Sequence, residues 1–171
     1  MKIASVLLLL MLFFCGCSKS AWETVNDLDQ SLAVSKWPKH TYEIDVDLPD
    51  ELSLIYEEDD YCLYTDDCGN FEVETRTFLA SSMESAVEIL SGFEPEKLSI
   101  LRMDADNMMQ YRFSWVTNGE GEACIHTAKL LMSESDCYAV VCTTNENRGF
   151  EYQDEIRQVF STCELVSDVL V

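Results

Sequence analysis

The sequence predicts an α+β fold, an antiparallel sheet of about six to seven strands with two helices packed on it. Three observations lead to this fold class. Much of the chain after residue 40 alternates apolar and polar residues with the period of a half-buried strand. Short turns join these segments, which brings consecutive strands side by side in antiparallel order. Two other segments, 82–91 and 150–162, repeat apolar residues at helical spacing.

The first strand begins at Thr41 and is ended by Pro49-Asp50. Its apolar residues fall on one face, as a strand buried on one side requires: Tyr42, Ile44, Val46 and Leu48. A short apolar stretch, 52–56, follows. The segment 61–78 then reads as a hairpin, because Asp66 to Asn70 supplies turn residues between two strand-like runs.

The segment 82–91 is predicted as a helix by agreeing signals at both ends. Ser81 and Glu84 match a capping box, with Ser81 as N-cap and Glu84 at the third helical position. Gly92 is suited to the left-handed position that ends a helix. The apolar residues form one stripe: Met83, Ala86, Val87 and Leu90.

Four strands and a second helix complete the chain. The strands are predicted at 98–103, 109–117, 122–132 and 137–144, and the last three form a meander with short turns. The helix is predicted at 150–162. Its apolar stripe consists of Tyr152, Ile156, Val159, Phe160 and Cys163.

Residues 1–17 have the layout of an export signal, with Lys2 ahead of an apolar run from 3 to 14. Twelve helical residues span only about 18 Å, short of a ~30 Å membrane core. The ending Phe14-Cys15-Gly16-Cys17 resembles a bacterial lipobox, which implies that Cys17 becomes the lipidated first residue of the mature chain. An ordinary cleaved signal peptide with two incidental cysteines is the alternative.

The expected organisation is a lipoprotein signal peptide at 1–16, the lipidated Cys17 with a tether at 17–40, and a single α+β domain at 41–171. A mature chain of about 155 residues is the size of one domain and can bury a hydrophobic core without disulfides or a structural metal. Two or more acyl chains on Cys17 would anchor the protein stably without a spanning segment.

The composition is strongly acidic, with 32 Asp and Glu against 11 Lys and Arg and a formal net charge of −21. Phosphates of nucleic acids and anionic lipid headgroups repel such a surface, which excludes nucleic acid as a partner. Cationic partners remain open. Acidity that only keeps an exported domain soluble is the simpler explanation.

Six cysteines would remain in the exported domain, and they allow fifteen pairings. Cys62 and Cys68 are the candidate disulfide, since they flank one turn closely in sequence. Cys137 and Cys142 lie at odd separation on one strand, so they point to opposite faces and cannot pair. Cys163 should be buried against the sheet, and Cys142 is a candidate to lie beneath the last helix.

No catalytic residue, cofactor or metal site is predicted. His40 lies in the tether, whereas Cys124 and His126 share one strand face about 6.6 Å apart. This pair suits half a metal site or a Cys-His pair, but a half-buried strand histidine explains it better. The acidic segments 57–60 and 66–70 are weak calcium candidates, for which solvated acidic loops are the better explanation. The segment 104–107 only superficially resembles a calcium loop, because Met109 and Trp115 stand where that loop needs Gly and Glu.

Three segments carry a resemblance to a known family: Tyr42 to Pro49 with its Leu-Pro ending, the hairpin into helix 82–91, and Tyr111-Arg-Phe-Ser-Trp115. With the final helix they resemble the PsbP-like α/β sandwich, a superfamily of photosystem II PsbP subunits, bacterial DcrB lipoproteins and a Ran-binding import factor. The resemblance covers residues 41–165. Trp22-Glu23-Thr24 and Leu90-Ser91-Gly92-Phe93 are also similar to segments of small bacterial lipoproteins.

The resemblance implies a binding or accessory role and supplies no catalytic set. We expect a lipoprotein anchored by Cys17 on the extracytoplasmic face of the cell membrane, with a non-catalytic accessory or binding domain and an unidentified protein partner. The alternative is an extracytoplasmic hydrolase that uses carboxylates or a Cys124/His126 site. A deep pocket converging on His126 would favour the hydrolase, and a shallow sheet face would favour binding.

Overall fold

A computed structural model describes residues 42–105, 108–118 and 123–167 of the chain. It confirms the predicted α+β fold. The strands are β1 (Tyr42–Asp45), β2 (Ser53–Glu58), β3 (Tyr61–Thr65), β4 (Phe71–Leu79), β5 (Leu101–Ala105), β6 (Met108–Asn118), β7 (Ala123–Ser133), β8 (Asp136–Asn145) and β9 (Glu164–Ser167). The helices are α1 (Met83–Ser91) and α2 (Gln153–Thr162), with a 3-10 turn at Pro95–Lys97.

The main sheet is antiparallel and has seven strands in the order β2-β3-β4-β8-β7-β6-β5. The predicted meander is confirmed, because β6, β7 and β8 pair consecutively. The predicted hairpin is confirmed as β3 and β4. Its outer neighbour β2 was recognised in the sequence only as an apolar stretch, and β5 begins at Leu101 rather than at Leu98.

The first strand differs from the prediction, because β1 is not part of the main sheet. It pairs with β9 in a separate two-stranded ribbon, from Tyr42 opposite Ser167 to Asp45 opposite Glu164. The sequence analysis placed no strand after the second helix. Strand β9 has four residues, of which three are exposed, so it carries no detectable alternation.

Helix α1 packs on one face of the sheet, which we call the first face. Ala86 and Val87 are fully buried there against residues such as Leu130 and Ala139. The N-cap is Ser82 rather than Ser81, because Ser82 is extended and its Oγ accepts a hydrogen bond from the Ser85 backbone N–H. Gly92 ends the helix at φ 73°, as predicted.

Helix α2 and the β1–β9 ribbon pack on the opposite, second face of the sheet. Val159, Phe160 and Cys163 are buried there with Phe71 and Tyr138. The ribbon is also joined to the sheet by a hydrogen bond of 3.3 Å from the Tyr42 backbone N–H to the Tyr138 hydroxyl. The helix begins at Gln153 instead of residue 150, since the residues before it form turns. Each face of the sheet is therefore packed against one of the two helices.

Candidate functional site

Helix α1 covers only part of the first face, and a row of half-buried polar side chains crosses the sheet beyond it. The row runs across β6, β7, β8 and β4, where Trp115 is opposite His126, His126 opposite Thr143, and Thr143 opposite Glu72. We call these four residues the histidine row. Trp115 is the buried end at 7% exposure, and the other three are half-buried.

His126 is held on three sides. Its Nδ1 lies 2.8 Å from the Thr143 hydroxyl and its Nε2 lies 2.7 Å from the Thr117 hydroxyl. The ring stacks on Trp115 with centroids 5.0 Å apart, and Trp115 stacks in turn on Phe113 at 5.6 Å. A neutral imidazole donates one of these hydrogen bonds and accepts the other, so both nitrogens are engaged.

The environment of the row disfavours charge. Burial lowers the pKa of His126, an effect that the nearby Glu74 carboxylate partly opposes. Burial raises the pKa of Glu72, and the negative charges of Glu74 and Asp66 add to this effect. The Glu72 carboxyl group is thus partly shielded from water, and the charged groups that shift its pKa are carboxylates.

A second group of residues, which we call the open patch, extends the first face toward the sheet edge at β2. It contains two tyrosines, two carboxylates and one cation: Tyr56, Glu58, Tyr61, Glu74 and Arg76. The Tyr56 hydroxyl bonds Glu58, and the Tyr61 hydroxyl donates to Glu74 at 3.1 Å. Arg76 lies 5.2 Å above the Tyr61 ring and 3.5 Å from Glu74.

The open patch borders a cleft of about 280 Å³ between the sheet and α1. The residues that line the cleft are Asp60, Tyr61, Arg76, Thr77, Phe78 and Ile89. Ile89 is about half exposed, so this part of α1 leaves apolar surface beside the patch. Aromatic rings, carboxylates and an apolar wall together suit the binding of a ligand with both apolar and cationic groups.

The Cys124/His126 pair is not assembled as a reacting pair. Cys124 and His126 are on the same strand face, as predicted, but the Cys124 thiol is directed to the Asn145 side-chain oxygen at 3.8 Å. Both nitrogens of His126 are occupied by threonine hydroxyls instead. The cleft described above is lined by other residues. This geometry does not support the Cys124/His126 form of the hydrolase alternative.

In the structure no disulfide joins any two of the six domain cysteines. Cys137 and Cys142 belong to the cores on opposite faces, which confirms that they cannot pair. Cys163 is buried in the same core as Cys142, as predicted. Cys62 pairs with Thr75 within the sheet and Cys68 lies exposed in the turn, so the Cys62–Cys68 bridge stays a prediction that non-reducing peptide mapping tests.

Thiol reactivity should follow burial in the reduced protein. Burial raises the pKa of Cys137 to about 11 and also raises the pKa of Cys142 and Cys163. We therefore expect a maleimide at neutral pH to label Cys68 rapidly and to leave these three unlabelled until denaturant is added. Mass spectrometry of the labelled peptides measures this, and rapid native labelling of Cys142 would contradict the packing of α2.

The acidic turn at 66–70 has a structural role. Asp66 accepts a hydrogen bond of 2.8 Å from the Asn70 backbone N–H and one of 3.0 Å from the Tyr152 hydroxyl. It thereby joins the β3–β4 turn to the start of α2. In the part of the chain that the structure describes, no group of three His, Cys, Asp or Glu residues could hold a metal ion. Asp106 and Asn107, which belong to the segment that superficially resembles a calcium loop, lie outside the described residues.

Comparisons with known proteins identify the type of fold. No family model matches the chain, and no curated protein matches it. Cyanobacterial PsbP (CyanoP) from Synechocystis sp. PCC 6803 superposes with a TM-score of 0.51 at 8% identity, over 74% of this chain and 93% of that one. The chain has a PsbP-like fold.

Two further structures share this PsbP-like architecture. LpqN, involved in cell envelope biogenesis of Mycobacterium tuberculosis, superposes with a TM-score of 0.53 at 10% identity, over 77% of this chain and 87% of that one. A protein from Bacteroides thetaiotaomicron VPI-5482 gives 0.51 at 10% identity, over 73% of this chain and 46% of that one. The chain thus spans less than half of the Bacteroides protein.

The predicted lipid-attachment residue Cys17 and the tether residue His40 lie outside the described residues. Within those residues, no helix of the PsbP-like domain is both long and apolar enough to span a bilayer. Sequence reasoning placed His126 correctly on its strand but missed Glu72, Glu74 and Thr143. The available signal was the alternation of carboxylates with Phe71 and Val73 along β4.

Proposed function

We propose that the chain is a membrane-anchored extracytoplasmic lipoprotein whose PsbP-like domain is a non-catalytic accessory or binding module. The observation that carries the binding role is the partly uncovered first face, where the histidine row and the open patch form a continuous aromatic and acidic surface. An open sheet face suits a macromolecular partner better than a small substrate.

The arrangement of the row supports recognition over chemistry. A general base needs a free nitrogen directed toward a substrate proton, and a nucleophile needs an adjacent base. His126 has both nitrogens bonded to threonine hydroxyls, and Cys124 is directed to Asn145. These contacts fix the ring against Trp115 and make the row a rigid part of the surface.

The comparisons and the sequence support an envelope location. One structural neighbour is described as involved in cell envelope biogenesis, and another is a cyanobacterial PsbP. The Gly16-Cys17 ending of the apolar leader is the feature that would attach this domain to the membrane. A dually acylated cysteine gives stable attachment, whereas one chain binds only marginally.

Replacing Cys17 with serine tests the proposed anchor. We expect Cys17→Ser to remain an unprocessed precursor or to leave the membrane fraction, because serine cannot carry the thioether-linked lipid. Fractionation and immunoblotting measure the distribution. Cys15→Ser is the matched control, since Cys15 would be removed with the signal peptide. Unchanged processing and membrane recovery of Cys17→Ser would contradict the proposal.

A further inference from the structure

Strand β2 is an edge strand that leaves one side without a strand partner in the described sheet. Among the described residues it pairs only with β3, from Ser53 opposite Thr65 to Glu58 opposite Tyr61, and no described strand lies on its other side. All six of its residues are exposed. Exposed edges offer backbone N–H and C=O groups to another extended chain.

The centre of β2 is apolar. Leu54, Ile55 and Tyr56 are successive residues with exposures of 47%, 56% and 48%. A register shift between Leu54 and Tyr56 marks a bulge at Ile55. Three neighbouring exposed apolar side chains on an edge are unusual, because natural sheets protect such edges with charge or cover.

Both ends of this apolar centre are acidic. Asp50 and Glu51 precede the strand, and the run Glu57 to Asp60 follows it. The open patch adds Glu74 on the first face, where its carboxylate lies 3.5 Å from the Arg76 guanidinium. The edge therefore presents an apolar centre between two negative ends, next to a further carboxylate-bearing surface.

This pattern opposes pairing between two copies of the chain. An antiparallel pairing centred on Ile55 would bring the acidic turn at 59–60 of one copy close to the acidic turn at 50–51 of the other. Like charges held close together repel each other. The net charge of −21 on each copy adds long-range repulsion. The complementary occupant is an extended segment with an apolar centre and Lys or Arg at both ends.

We propose that β2 and the open patch bind an extended basic segment of a protein partner as an added strand. The inference rests on the proposed function and names the partner's chemistry. The partner segment forms backbone hydrogen bonds with β2 and so adds a strand to the sheet. The apolar centre of that segment contacts Leu54 to Tyr56. The basic ends meet the acidic flanks, which include Glu58 of the open patch.

A synthetic peptide tests this arrangement with the full mature protein in non-ionic detergent. The probe has alternating valine and threonine in its centre and two lysines at each end. We expect saturable binding by fluorescence anisotropy that weakens with added salt. In hydrogen-exchange mass spectrometry, β2 amides should become slower to exchange on binding, because added-strand hydrogen bonds protect them.

Two comparisons separate strand addition from general attraction to an acidic protein. A peptide of the same charge with prolines in its centre cannot donate ladder hydrogen bonds and should bind much more weakly. On the protein, the double substitution Glu57→Gln/Glu58→Gln should lower the affinity for the valine-threonine peptide by about fivefold. The matched control Glu43→Gln/Glu164→Gln removes two exposed carboxylates from the β1–β9 ribbon and should leave the affinity unchanged.

Other outcomes would overturn the inference. Equal binding of the proline peptide, or equal losses in both glutamine variants, would mean non-specific charge attraction. Protection of β2 without peptide, together with a dimeric mass by ultracentrifugation, would assign the edge to a second copy. Absence of binding would mean that the acidic flanks only keep the edge unpaired. If Cys17 is lipidated and the peptide fails, this inference falls while the proposed anchor stands.

Discussion

Replacing Phe71 with alanine should lower the free energy of unfolding by about 3–5 kcal/mol. Phe71 is 1% exposed at the start of β4 and stacks on Tyr152 with ring centroids 4.9 Å apart. The substitution removes a buried ring and leaves a cavity between the sheet and the beginning of α2. Chemical denaturation followed by circular dichroism measures the change.

The matched control is Phe150→Ala. Phe150 is 86% exposed, so its removal should change the stability by less than about 0.5 kcal/mol. Phe71 contacts Tyr152 just before α2, and Phe150 lies two residues before Tyr152 in the chain, so the two phenylalanines differ mainly in burial. Equal losses in both variants would contradict the described packing of the second face, as would a Phe71→Ala variant of unchanged stability.

Replacing Lys129 with methionine should destabilise the fold by about 2–3 kcal/mol. Lys129 is 6% exposed, and its Nζ donates to the carbonyl oxygens of Phe160 at 2.9 Å and Cys163 at 2.7 Å. These carbonyls end α2, so the ammonium group caps the negative end of the helix dipole. Methionine keeps the volume but leaves both buried carbonyls without this donor.

The desolvation of Lys129 limits the size of this effect. Burial lowers its pKa, and the Arg112 guanidinium on the neighbouring strand also acts to lower it, whereas Cys163 acts to raise it. Methionine relieves that desolvation, which offsets part of the lost hydrogen bonding. Lys97→Met is the control, since Lys97 is exposed and pairs only at the surface with Glu94 at 2.9 Å. A stability loss in Lys97→Met as large as that in Lys129→Met would contradict the capping role.

The parts of the fold predicted from the sequence are those fixed by local pattern. The hairpin of β3 and β4 and the meander of β6, β7 and β8 have short turns and alternating residues, so neighbours in sequence are neighbours in the sheet. The β1–β9 ribbon was missed because Tyr42 pairs with Ser167 from the far end of the chain. No local pattern connects these two segments.

The candidate site was predicted only in part for the same reason. Alternation along β7 places His126 on a defined face, but its contacts with Thr117 and Thr143 depend on the register of three strands. The capping role of Lys129 depends on carbonyls 31 and 34 residues away. The alternation along β4 assigns Glu72 to the face opposite Phe71 and Val73, but only the structure shows that α1 leaves this part of the first face uncovered.

In the proposed arrangement, a lipid on Cys17 holds this PsbP-like domain at the membrane surface. The most direct test is mass spectrometry of the N-terminal peptide from wild-type protein extracted from membranes. The account predicts a chain that begins at Cys17 and carries a diacylglyceryl group on its sulfur. A mature chain that begins elsewhere, or an unmodified Cys17 in membrane-extracted protein, would contradict it.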